Sequence, residues 1–207
     1  MQKQNGKLFV ISGPSGAGKG TIVNAVMDQA DPSGTALSIS MTTREPRPGE
    51  EDGVNYFFVT KEEFRRQIEA GGFLEYAEVY DHYYGTPKSK VMEKLNQGKD
   101  VILEIDIQGA LNVKKAFPEG VLIFILPPSM EVLRSRLTGR GTDAPEVIER
   151  RLSKTRGELT FIDRYDYGVV NDDLEEAVET VRAIMRAEHA RVDENLHTLI
   201  REKYGEA

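Results

Sequence analysis

Lys7-Leu8-Phe9-Val10-Ile11-Ser12-Gly13-Pro14-Ser15-Gly16-Ala17-Gly18-Lys19-Gly20-Thr21, continued by Ile22, Val23 and Val26, is the stretch whose reading decides the fold. Leu8 to Ile11 is a short apolar run bounded by turn residues, as a buried strand is. Ile22, Val23, Val26 and Met27 then recur at helical spacing. Strand, G-x-x-x-x-G-K and helix, in that order, is a phosphate-binding loop in its expected context. Glycines let successive backbone N–H groups curl around a polyphosphate, which rests on the positive end of the following helix. Lys19 adds a mobile point charge that follows the phosphates as charge develops.

Outward from this stretch, composition narrows the field. The chain has 207 residues, 29% charged and 39% hydrophobic, as a soluble globular protein of one or two domains has. Val121 to Leu126 is its longest clean apolar run, far short of a membrane span. Met1 to Gly6 lacks the apolar core of a signal peptide, so a cytoplasmic protein is expected. No cysteine is present, which excludes disulfides and thiolate metal sites. A net charge of −7 argues against gripping a nucleic-acid backbone, but not against small phosphorylated substrates held by local arginines.

Along the chain, Asp31 to Gly34 is a turn signal and Ala36 to Met41 alternates as a strand. Thr42 to Glu50 carries two prolines and reads as a loop. Tyr56 to Val59 and Phe73 to Tyr80 read as strands, with a short helix, Glu62 to Ala70, between them. Thr60-Lys61-Glu62-Glu63 resembles its capping box. Asp81 to Pro87 closes a small, mixed, β-rich insertion over 36–88. Outside it strands and helices alternate: helix Lys88–Asn96, strand Val101–Ile105, helix Ala110–Ala116, strand Val121–Leu126, helix Met130–Leu137. A glycine break at 139–142 follows, then a helix over 145–163, a strand Tyr167–Val170 and one amphipathic helix from Leu174 to about Tyr204. The class is α/β with a parallel sheet and ligands at the strands' carboxyl ends.

Four constellations carry chemistry. Glu104 and Asp106 share a strand face at its carboxyl end, where Glu104 occupies the acidic Mg²⁺-holding position of phosphate-loop enzymes. Asp106 is equally a good N-cap for the next helix. Arg44 and Arg47, stiffened by Pro46 and Pro48, suit a two-pronged grip on one phosphate, and equally a solvated loop. Tyr56, Glu75, Tyr84 and Thr86 lie in the insertion and could complete such a site, although strand aromatics are usually core. Arg136, Arg140 and Arg151 flank the glycine break. Arg151 falls beside the inward stripe of Ile148, Leu152, Leu159 and Ile162, whereas Arg150 points to solvent. Gly20 stands between Lys19 and Thr21, where a hydroxyl residue usually follows the lysine. The variant resembles the Gly-Lys-Gly-Thr of adenylate kinases and leaves open whether Thr21 ligates metal or contacts phosphate.

Gly13 to Lys19, Thr42 to Glu50, Tyr83-Tyr84-Gly85-Thr86, Glu104 to Gly109, Pro127-Pro128-Ser129 and Gly139 to Thr142 occur in the order found in guanylate kinases. Over about residues 7–190 the chain resembles that family. The resemblance implies a phosphate-loop core with a five-stranded parallel sheet (1–35 and 89–207), a GMP-binding insertion (36–88) and a mobile lid near 138–150. It implies that Ser40, Arg44, Arg47, Tyr56, Glu75, Tyr84, Thr86 and Asp106 contact GMP. Arg44, Arg47, Tyr56 and Tyr84 would hold its phosphate, while Glu75, Asp106, Ser40 and Thr86 would face guanine. Gly13, Pro14, Ser15, Gly16, Ala17, Gly18, Lys19, Gly20 and Thr21 would bind ATP, with Asn171 near the adenine. Lys19, Arg136, Arg140 and Arg151 would surround the transferring phosphoryl, and Thr21 and Glu104 would hold Mg²⁺, through water or directly. The expected activity is ATP:GMP phosphotransfer in purine nucleotide metabolism, with no obligatory protein partner. A kinase of other monophosphate specificity, or a catalytically dead phosphopeptide-binding relative, is the rival reading.

Overall fold

The computed structural model describes residues 6–30, 34–79, 81–139, 144–192 and 194–205. The expected turn at 31–34 and the break at 139–142 fall largely outside them. Five parallel strands form the central sheet: β1 (Leu8–Ser12), β2 (Thr35–Leu37), β7 (Asp100–Glu104), β8 (Val121–Leu126) and β9 (Tyr167–Val170). Their order is β2-β7-β1-β8-β9. The chain winds from β1 toward β2 and β7, then crosses to β8 and β9. The reversal therefore lies at β1, and the crevice beyond its carboxyl end is where such sheets bind ligands.

Alternation along β1 explains the two layers. Phe9 and Ile11 pack with Val23 and Val26 of α1 (Lys19–Asp28) and with Val178 and Val181 of α7 (Leu174–His189). Leu8 and Val10 pack on the other side with Val91 and Leu95 of α3 (Lys88–Asn96) and with Ala110 and Val113 of α4 (Ile107–Ala116). Both faces of a parallel strand are buried, which is why its sequence is a continuous apolar run.

The strand expected over 36–41 is divided. Thr35–Leu37 stays in the central sheet, and Met41–Thr42 forms β3 of a second, mixed sheet ordered β4-β3-β6-β5. Here β4 is Phe57–Phe58, β5 Phe73–Val79 and β6 His82–Pro87. Residues 82–87, read in the sequence only as the segment that closes the insertion, form a strand. Val79 pairs with His82, and Asp81 takes φ 64, the left-handed geometry that aspartate tolerates in tight turns. Between β4 and β5 lies α2 (Lys61–Glu69), whose Thr60 hydroxyl accepts from the Glu63 amide at 3.1 Å, as the cap signal foretold.

Two further expectations change. The helix over 145–163 ends early: α6 (Pro145–Glu158) tightens into a 3-10 turn, Leu159–Arg164. Ile162 is exposed and Leu159 half-buried, so only Ile148 and Leu152 of the predicted inward stripe are core. They pack on Leu133 and Leu137 of α5 (Met130–Gly139), a small core separate from the sheet. The carboxyl-terminal helix is two helices, α7 and α8 (Glu194–Tyr204). The end of α7 is pinned where His189 Nε2 meets the Asp100 carboxylate at 2.8 Å.

Candidate functional site

The loop after β1 approaches its neighbours too closely for side chains. A Cβ on Gly13, at φ 143, would lie 2.3 Å from the Ile125 carbonyl oxygen. A Cβ on Gly18, at φ 92, would lie 2.2 Å from Asn171 Nδ2. That amide nitrogen donates to the Ala17 carbonyl at 2.8 Å, and Asn171 is buried at the end of β9. Asn171, expected near the adenine, thus braces the loop from beneath with its side chain. Lys19 Nζ donates to the carbonyls of Gly13 and Pro14 at 2.8 and 2.9 Å, lying across the loop that precedes it. Ser15 and Thr21 are exposed, so their hydroxyls reach solvent at the loop and on the first turn of α1.

Glu104 ends β7 beside Ile11 of β1. A Cβ on Gly20 would lie 3.4 and 3.5 Å from its two carboxylate oxygens, so that small residue is where the carboxylate settles against α1. The residue still reaches solvent, yet the surrounding protein desolvates the carboxyl and raises its pKa, while the Lys19 charge lowers it. Among the described residues no group of three or more His, Cys, Asp or Glu converges. A carboxylate and a hydroxyl are hard oxygen donors, which fits a cation such as Mg²⁺ that takes one or two protein ligands and fills its shell with phosphate and water.

Arg44 is held from several sides. Its Nη2 donates to Glu50 Oε1 at 2.9 Å and its Nη1 to the Glu45 carbonyl at 2.7 Å. The guanidinium carbon lies 5.5 Å from the Tyr56 ring centroid, and Tyr56 meets Tyr84 edge-on at 6.1 Å. Glu50 Oε2 also accepts the Arg47 amide at 2.7 Å. These contacts hold the Glu50 carboxyl below the usual range, the Arg44 hydrogen bond foremost. Glu50 was legible only as part of the quoted proline-rich motif, and the sequence reading gave it no role. The Arg47 side chain is exposed.

Glu75 and Asp106 converge although one lies on β5 of the second sheet and the other just before α4, two residues past the end of β7. Leu74 of β5 is buried in the same cluster as Ala110 and Val113 of α4, which docks β5 on that helix. An irregularity in register between Phe73 and Glu75 redirects the strand there. A Cβ on Gly109 would lie 3.2 Å from both Glu75 Oε2 and Asp106 Oδ1. Glu75 Oε1 accepts the Thr86 hydroxyl at 2.7 Å, and Thr86 is fully buried. Asp106 Oδ1 caps α4 by accepting the Gly109 amide at 2.7 Å, so the capping reading of this residue holds beside the functional one. Burial pushes the Glu75 carboxyl up, the Asp106 charge adds to this, and the Thr86 hydroxyl opposes it.

The guanylate kinase family model matches residues 5–188. The chain belongs to the guanylate kinase family. It is 58% identical over 203 residues to guanylate kinase from Caldanaerobacter subterraneus subsp. tengcongensis, covering 97% of this chain and 98% of that one. It is 52% identical over 205 residues to guanylate kinase from Clostridium perfringens, covering 99% and 94%. The crystal structure of guanylate kinase from Anaplasma phagocytophilum superposes with a TM-score of 0.74 at 32% identity, covering 99% of this chain and 98% of the other.

The remaining family positions are distributed as follows. Ser40 is half-buried where the chain enters the second sheet, and its carbonyl accepts the Phe57 amide at 2.9 Å. Arg136 sits in the last turn of α5, and its Nη2 donates to the Asn171 carbonyl at 2.9 Å. Its Nη1 is buried without a hydrogen-bond partner among the described residues. Arg151 is half-buried on α6 and Arg150 exposed. Arg140 lies outside the described residues. Ser12 Oγ and the Tyr165 hydroxyl, both buried beside this site, were not singled out by sequence.

Proposed function

We infer that this chain transfers the γ-phosphoryl of ATP to GMP, giving ADP and GDP, and that the site residues divide the work as follows. The Gly13–Thr21 loop and Lys19 bind the ATP phosphates. Lys19, Arg136, Arg140 and Arg151 take up charge on the transferring phosphoryl. Arg44, Arg47, Tyr56 and Tyr84 hold the phosphate of GMP, with Glu50 fixing Arg44. Glu75 and Asp106 accept from guanine N1–H and N2, with Thr86 and Ser40 alongside. Thr21 and Glu104 would hold Mg²⁺, which, when bound, neutralises phosphate charge. The acceptor is already a phosphate anion and needs no strong base, so catalysis is positioning and charge stabilisation. These substrates place the reaction in purine nucleotide metabolism, and we assign the protein to the cytoplasm.

The observation that carries the base assignment is the convergence of Glu75 and Asp106 on one point. Guanine offers two donors there, whereas adenine offers an acceptor and a bare C–H. A site built to hydrogen-bond a group rejects the analogue lacking it by about 10⁴–10⁵-fold. A coupled assay of ADP formation with GMP, AMP, CMP and UMP tests it. GMP should exceed AMP in kcat/KM by at least about 10³, allowing for residual water. Comparable rates would mean that the carboxylates do not read guanine.

A further inference from the structure

A cavity of about 310 Å³ opens where the chain crosses from the central sheet to the second one. At this crossing the Ser38 amide donates to the Ile102 carbonyl and the Phe57 amide to the Ser40 carbonyl. Ala36 of β2, Phe57 of β4, Lys90, Glu93 and Lys94 of α3, and Lys99 line it. Among the described residues that line it, three lysines face one glutamate, in a chain whose net charge is −7. Lys94 Nζ donates to the Leu37 carbonyl at 2.9 Å, at the last residue of β2. Lys90 Nζ lies 5.7 Å from the Phe57 ring centroid. The Lys94 ammonium is held below its ordinary pKa, by burial first and then by Lys99 and Lys90, with Glu93 opposing. None of these residues belongs to the nucleotide site described above.

We propose that this cavity binds a small phosphorylated anion, held by Lys90, Lys94 and Lys99 between the two sheets. Ammonium groups brought together at one cavity repel each other, and a shared multivalent anion relieves that cost. Lysines are compact point charges on flexible stems, suited to phosphate oxygens rather than to the planar two-pronged grip arginine makes. The cavity's size admits one or two phosphates with a small organic group. Because its walls come from both sheets, an occupant has different contacts when the sheets move relative to one another.

Lysine acylation followed by peptide mass spectrometry, with inorganic pyrophosphate as the probe, tests this on the full chain. At about ten times its Kd, pyrophosphate should slow acylation of Lys90, Lys94 and Lys99 roughly tenfold, because protection follows occupancy. Sodium chloride at equal ionic strength should not. In a Lys90→Gln/Lys99→Gln variant, protection of Lys94 should need at least roughly tenfold more pyrophosphate, the scale of lost charge-assisted contacts. If that variant does not fold, the wild-type footprint decides alone. Lys19 reports the phosphate loop in the same experiment. Protection confined to Lys19, or uniform slowing that chloride reproduces, would overturn the proposal.

Discussion

Gly18 shows how a single residue in the phosphate loop is fixed by its neighbours. Its φ of 92 disfavours any side chain, and a Cβ would collide with the Asn171 amide that braces Ala17. Gly18→Ala should lower unfolding stability by about 1–3 kcal/mol and weaken ATP binding, measured by urea denaturation and nucleotide titration. Wild-type values in both would show that the loop has another conformation open to it. Glu75 makes a different kind of statement. Its carboxyl titrates above the ordinary 4.5 in the folded chain because burial disfavours the charge. The folded state therefore holds this proton more tightly than the unfolded chain does. Its contribution is most favourable below the unfolded pKa and is lost as pH rises through the folded value. Glu75→Gln removes that dependence, so its stability relative to wild type should climb as pH rises from the ordinary 4.5 through the raised folded value. Parallel urea-midpoint curves for the two proteins would contradict the assigned burial of the charge.

At the scale of elements, α5 and α6 form a unit of their own. Leu133, Leu137, Ile148 and Leu152 are packed together and apart from the two clusters that flank the central sheet. Arg134 and Glu149 join the same two helices by an exposed ion pair, which adds little. The apolar contact is what holds the pair, and it positions Arg136 and Arg151. Leu137, fully buried, should cost about 2–5 kcal/mol when truncated to alanine. If the helices form a local unit, hydrogen exchange should rise in α5 and α6 well before it rises in β1 or β8. A uniform rise across the sheet would mean that the pair is energetically continuous with the core.

Taken whole, the molecule is a central sheet with two attachments, the second sheet and the α5–α6 pair. The candidate GMP groups come from the second sheet and from the start of α4, while the candidate ATP groups surround the end of β1. The second sheet and α6 must close over the phosphate loop, against which α5 already packs, for the two substrates to meet with water excluded, so closure is expected when both are bound. Labels on α2 and α6, each paired with one on α7, should draw closer on adding GMP with a non-hydrolysable ATP analogue. Unchanged distances would mean that the site is already assembled.

The strand–loop–helix at 7–26 was legible because its information is local: a run buried on both faces, glycines at fixed spacing and a periodic helix. The capped start of α2 was legible for the same reason. The sequence by itself thus determined the α/β class, the phosphate loop and the family. The division of residues 35–42 between two sheets was not legible, because it depends on which neighbours supply hydrogen bonds, β7 on one side and β4 and β6 on the other. Nor was β6, which is a strand because β5 pairs with it along its length. Glu75 reaches Asp106 only because Leu74 is buried against α4. In the sequence that meeting was implied only by the family resemblance; tertiary structure brings it about, joining a strand of the second sheet to the start of α4 through packing that no local pattern encodes.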